Sequence, residues 1–198
     1  MGRGKSSDRS SGFSLLEMVV VVSIILILSG ISFINYPKIM AQTRVTNGFN
    51  TLLMTMRQTR ERSIAERRIY TVTFAAPRTM TVTQAATGTV INTTILPTDI
   101  SFMTQAGFPS PGPDGFGTGV TAFDLDINVA AGNGNPIYFY PDGSGRDLNG
   151  SVNNGVIYMA RAGDIASSRA VSMWGATGRL KGWRLAPNLV GGYTWGLQ

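Results

Sequence analysis

"SSGFSLLEMVVVVSIILILSGISFI", residues 10–34, sets the architecture of this chain. From Phe13 to Ile34 it runs 22 residues with one charge, Glu17. As a helix this stretch is about 33 Å long, close to one hydrocarbon thickness. A secretory signal has a shorter apolar core followed by a small-residue cleavage site. Ser29-Gly30-Ile31-Ser32 leaves that reading open as an alternative. The basic residues Arg3, Lys5 and Arg9 ahead of the run keep the N-terminus cytoplasmic by the positive-inside rule. A carboxylate in an apolar span is unfavourable by a few kcal/mol unless it is paired, neutralised or snorkels to the interface. Glu17 lies four residues into the run, so snorkelling accounts for its tolerance but gives it no role.

The rest of the chain is bounded by composition. It has 198 residues and a formal charge of +6, with neither cysteine nor histidine. Disulfides, thiol nucleophiles, Cys/His zinc sites and His-based triads are therefore excluded. Without residues 1–12 there remain 14 basic and 10 acidic side chains, an excess of +4. That surplus attracts phosphates without specifying nucleic acid. A serine nucleophile would need a lysine base, and past residue 12 only Lys38 and Lys181 are present. The chain does not read as an enzyme, and no cofactor is expected.

Past the apolar run, Asn35 and Tyr36 suit a membrane interface, and Pro37 predicts a kink or partial unwinding near 33–37. Residues 38–68 read as an amphipathic helix, with Phe49, Leu52, Leu53 and Met56 on one face. Arg57–Glu61 and Arg62–Glu66 have i,i+4 spacing. Arg60, Arg62, Arg67 and Arg68 suit a helix C-terminus, with phosphate binding as the alternative. The period then changes to two. Tyr70–Phe74 and Thr79–Thr83 read as strands joined through Ala76-Pro77-Arg78, and further strands are expected at 90–96, 120–127, 137–140, 155–159, 170–174 and 179–185. "GFPSPGPDGFGTG" (107–119) reads as a long flexible surface connection, with a partner-binding loop as the alternative. The fold class is α+β: a long N-terminal helix, membrane-spanning in its first half, packed on an antiparallel sheet or sandwich.

Three clusters invite chemistry. Asp124 and Asp126 share a strand face, as paired or merely solvent-facing carboxylates. "PDGSGRDLNG" (141–150) offers Asp142, Ser144 and Asp147 to calcium, but Arg146 occupies a ligand position and an Asp-Gly turn explains the same letters. In "GRLKGWR" (178–184), Arg179, Lys181 and Trp183 fall on one face of a strand, two cations beside a ring that could meet phosphates and stack on a base. A basic edge strand that discourages edge-to-edge pairing explains the same pattern.

Gly12-Phe13-Ser14-Leu15-Leu16-Glu17 resembles the class III signal of type IV pilins and type II secretion pseudopilins. The resemblance implies cleavage by a prepilin peptidase between Gly12 and Phe13, N-methylation of Phe13, and pairing of Glu17 with the Phe13 amine of a neighbouring subunit. It divides the chain into a leader (1–12), a membrane and filament-core helix (13–35), its amphipathic continuation (36–68) and a β-rich domain (69–198). "RQTRERSIAERRIYTVTF" (57–74), "IYFYPDGSG" (137–145) and "TGRLKG" (177–182) resemble the GspH/FimT subgroup. That likeness implies a GspH-like minor pseudopilin, anchored by a single pass in the bacterial inner membrane with its C-terminal domain periplasmic, then assembled with other pilins. The alternative is a FimT-like minor pilin that takes up DNA through Arg179, Lys181, Trp183 and Arg184. In that subgroup the motif is Gly-Arg-x-Arg, and here Lys181 stands at its last position.

Overall fold

In the computed structural model the described residues are 14–125, 136–189 and 191–198. The chain divides into two compact units, Met1–Ala41 and Gln42–Gln198. One helix, α1 (Leu15–Glu66), contributes to both and is helical throughout, so the unwinding expected at 33–37 does not occur.

In the first unit the large apolar side chains of α1 stand exposed, Leu16 at 73% and Leu26 at 67% among them. Val19, Val20, Val22, Ile24 and Ile25 are exposed as well. A continuous apolar surface of this extent marks an interaction site on a folded protein. By a strict measure of length and hydropathy, no helix among the described residues is apolar enough to cross a membrane. The expected span over 13–35 therefore rests on its sequence.

The second unit is built around the rest of α1. Val45, Phe49, Leu52 and Met56 are buried at i, i+4, i+7 and i+11, one stripe of a 3.6-residue helix. Each fully buried side chain of this kind contributes about 1.5–3 kcal/mol. Two antiparallel sheets share that core. The first comprises β1 (Tyr70–Ala75), β2 (Thr79–Gln84), β3 (Val90–Ile95), β6 (Ile137–Phe139) and β7 (Gly145–Arg146), in the order β3-β2-β1-β6-β7. The second comprises β4 (Ile100–Ser101), β8 (Gly155–Arg161), β9 (Asp164–Trp174), β10 (Arg179–Pro187) and β11 (Tyr193–Leu197), in the order β11-β10-β9-β8-β4, with β5 (Phe123–Leu125) also paired to β8. Tyr70, Val72 and Phe74 of β1 and Ile157, Met159, Val171 and Met173 of the second sheet join the helix stripe in one cluster. The α+β architecture is as expected, with more strands than the alternating runs alone revealed.

Gly182 shows how closely helix and sheet approach. A Cβ at this position would lie 2.6 Å from the Phe49 ring, so only glycine lets β10 pass beneath that side chain.

The helix terminus departs from expectation. α1 ends at Glu66, and Arg67 takes φ 52°. The Arg68 N–H donates to the Ser63 carbonyl and the Arg67 N–H to the Ile64 carbonyl, the paired bonds of a Schellman motif with arginine where glycine is usual. Arg67 and Arg68 thus lie beyond the helix instead of in its last turn. Arg62 meets Glu66 at 2.6 Å as expected. Glu61 pairs with Arg60 instead of Arg57, and Arg57 donates to the Leu180 carbonyl. The Tyr70 hydroxyl and Arg62 hold the Glu66 carboxyl below its ordinary range.

The Gly/Pro-rich segment 107–119 packs as a cover on the second sheet. It contains a 3₁₀ turn, Pro113–Gly115. Phe108 packs against Tyr158 and Trp195, and Phe116 meets Trp174 edge-on at 4.8 Å. Phe108, Phe116, Trp183 and Trp195 make a second apolar cluster with Val156, Tyr158 and Ala170 on the outer face of the second sheet. Gly112 sits so close that a Cβ would lie 2.2 Å from the Tyr158 hydroxyl.

Candidate functional site

The N-terminal site is the simpler of the two regions singled out by sequence. Glu17 lies in the first turn of α1. Gly12 and Phe13 lie outside the described residues. Further along, the Ser23 hydroxyl turns back onto the Val19 carbonyl at 2.7 Å. This bond satisfies a polar group within the apolar stretch and leaves Glu17 as its one ionisable side chain.

The basic constellation on β10 separates into three environments. Arg179, Lys181 and Trp183 do alternate along one face, as the strand period requires. Lys181 and Trp183, however, lie beneath segment 107–119. Lys181 Nζ meets Asp114 Oδ1 at 2.5 Å and stands 5.5 Å from the centre of the Trp183 ring. The Trp183 indole donates to Ser172 Oγ at 2.8 Å, and Ser172 donates to Asp114 Oδ2 at 2.5 Å. The four side chains form a closed polar network within an apolar surround. Burial works against the charge of Asp114, yet hydrogen bonds from Lys181, Ser172 and Trp174 outweigh it and hold the carboxyl below its usual range.

Arg179 points elsewhere. It is exposed and lines a groove with Arg57, Arg60 and Gly178. Arg60 is committed to the Thr177 carbonyl at 2.9 Å and the Gly143 carbonyl at 3.1 Å. This arginine therefore fastens the helix to two turns. Arg184 belongs to the opposite face of β10 and lines a separate small cavity. Lys181 and Trp183 are thus structural, while Arg179 and Arg184 remain open to solvent on different sides.

The other clusters are accounted for by turns. Asp142 accepts from Ser144 and pairs with Arg146 at 3.1 Å. Asp147 Oδ1 accepts the N–H groups of Asn149 and Ser151. Asp124 Oδ2 accepts the N–H groups of Thr118 and Gly119, closing the end of the cover segment. Asp126 lies outside the described residues. Among the described residues no group of three acidic side chains is gathered for a metal.

Asp114 is the residue that sequence reasoning passed over. Its signal was a lone acid flanked by Pro113 and Gly115 between two aromatic residues, Phe108 and Phe116.

Residues 7–33 match the family model of the prokaryotic N-terminal methylation motif. No curated protein and no solved structure matches the chain. The motif covers the run that ends in the exposed apolar helix and places Glu17 near its start. The match spans 27 of the 198 residues and supports a type IV pilin-like N-terminus.

Proposed function

We propose that the protein is a minor pseudopilin of the GspH-like kind, held in the bacterial inner membrane by residues 13–35 and then drawn into a type II secretion pseudopilus. The observation that carries this reading is the methylation motif at 7–33, continuous with an α1 surface whose apolar side chains have no cover of their own. A bilayer first, and neighbouring helices afterwards, supply that cover. Prepilin peptidase cuts between Gly12 and Phe13 and the new amine is methylated. Glu17 then meets the Phe13 amine of an adjacent subunit, each buried charge compensating the other. The role is mechanical, with no reaction assigned to the β-rich domain.

Mass spectrometry of the mature protein tests the first step. An N-methylated Phe13 is expected; an intact Met1, or a new terminus near residue 33, overturns the reading. Deleting the gene then assigns the system: lost secretion of exported proteins supports the pseudopilin.

The second reading, a FimT-like minor pilin that binds DNA, is favoured by Arg179, which stands exposed in a groove at the end of β10. Phosphate contacts there are electrostatic and weaken with salt. Labelled duplex titrated against the detergent-solubilised chain is expected to lose affinity with Arg179→Ala and to keep it with Lys181→Met, because Lys181 is engaged by Asp114. Unchanged binding in Arg179→Ala removes this reading.

A further inference from the structure

At one end of β9 and β10, on the face turned toward the helix, two arginines stand side by side. Arg169 and Arg184 are direct cross-strand partners. Both line a cavity of about 140 Å³ with Gln42, Val45, Thr46, Asp164, Ala166 and Ser167. Like charges opposite one another on adjacent strands are destabilising unless something lies between them.

Arg169 is 5% exposed, rare for a residue that almost always reaches solvent. One of its terminal nitrogens lies between the carbonyls of Ser167 and Ser168, at 3.2 and 3.1 Å. Its Nε is buried and has no hydrogen-bond partner. A buried guanidinium donor without an acceptor is a standing penalty. The guanidinium of Arg184 is exposed and makes no hydrogen bond or ion pair with another described residue. Burial first, and Arg184 second, push the Arg169 pKa down, while Asp164 draws it up. The cavity therefore has two cations and one carboxylate on its wall, with the amide of Gln42 and the hydroxyl of Thr46 as further donors.

We propose that Arg169 and Arg184 form a binding site for one small oxyanion, a carboxylate or phosphate group, seated in this cavity. Such a group separates the two guanidiniums and balances their excess charge. Arginine suits the task because its planar fork presents paired donors to a planar or tetrahedral oxyanion. The volume admits one such group. The site is independent of the filament reading, since it is formed entirely within residues 42–184.

Calorimetric titration and thermal unfolding of the detergent-solubilised full chain test it, with inorganic phosphate and acetate as probes against chloride at equal ionic strength. Saturable binding is expected, and at ten times Kd the folded-to-unfolded ratio rises about elevenfold. Arg184→Gln should weaken binding at least tenfold, whereas Arg78→Gln, in the turn between β1 and β2 and outside the cavity, should leave it unchanged. Asp164→Asn should tighten it, an effect that a merely structural arginine pair would not produce. Phosphate held more strongly than acetate assigns a tetrahedral phosphate group; acetate held as well or better assigns a carboxylate. No saturation by either probe beyond chloride, or equal loss in Arg184→Gln and Arg78→Gln, overturns the proposal. Arg184 is exposed, so its replacement leaves the core intact.

Discussion

Asp114 Oδ1 lies 2.5 Å from Lys181 Nζ, fastening the middle of a Gly/Pro-rich segment to a strand 67 residues further along the chain. Asp114→Asn leaves Lys181 without its counter-charge beneath the cover. Breaking a largely buried pair in this way destabilises by about 3 kcal/mol. Urea unfolding is expected to show that loss, and amide exchange across 107–119 should quicken beyond the global change. A double-mutant cycle with Lys181→Met should return a coupling of at least ~1 kcal/mol.

The same carboxylate makes stability depend on acid. Its pKa in the folded protein lies below the ordinary value because Lys181, Ser172 and Trp174 outweigh burial. A carboxyl so depressed contributes stability in full above the unfolded aspartate pKa of about 3.9. That contribution is lost as pH falls through the folded value. The thermal midpoint is therefore expected to drop below about pH 4, and less steeply in Asp114→Asn. A parallel decline in both proteins would assign acid sensitivity to Asp99 or Asp142, whose carboxyls are also held low.

Arg67 holds a left-handed backbone at the end of α1 with φ 52°. An L side chain there is disfavoured by about 1 kcal/mol relative to glycine. Arg67→Gly is expected to stabilise the protein by somewhat less than that, because glycine also loosens the unfolded chain. Chemical denaturation measures the gain, and a loss would mean that the Arg67 side chain does more than its position indicates.

Gly182→Ala brings a methyl group to 2.6 Å from Phe49. Overpacking of this kind destabilises by about 1–3 kcal/mol. Combining it with Phe49→Leu should yield a smaller total loss than the two single changes added together. Strict additivity would show that the helix moves as a body to absorb the methyl.

Glu17→Ala removes the one charge in the apolar stretch. Membrane insertion is expected to persist or improve, since burying the carboxylate is unfavourable by a few kcal/mol. Incorporation into filaments should fall by an order of magnitude or more, read by shearing and immunoblotting. Normal assembly of the variant would remove the proposed pairing with the Phe13 amine.

Much of the fold was legible because periodicity follows burial. The alternation in "YTVTF" and "TMTVT" marked β1 and β2, and the Phe49–Met56 stripe marked the helix face. β9 was legible only in its second half. Its first half, "DIASSR", buries Ser167, Ser168 and Arg169, so the strand carries no apolar signal there. β11 was missed because "GGYTWG" reads as a loop by its glycines. The alternation in "GRLKGW" correctly placed Arg179, Lys181 and Trp183 on one side. What the strand could not disclose was the lid above that side, because spacing within a strand says nothing of an acid brought in from residue 114. The cross-strand neighbour of Arg184 was hidden for the same reason.

The cover over the second sheet bears on where this protein tolerates foreign sequence. An epitope tag is usually placed in the segment richest in glycine and proline, here 107–119. Inserted there, it would lift Phe108 and Phe116 from their ring contacts and pull Asp114 from Lys181. The turns at Gly88 and Gly163, where an added Cβ would meet nothing within 4 Å, offer the open ground instead. A label meant to follow assembly in living cells belongs at one of those two turns.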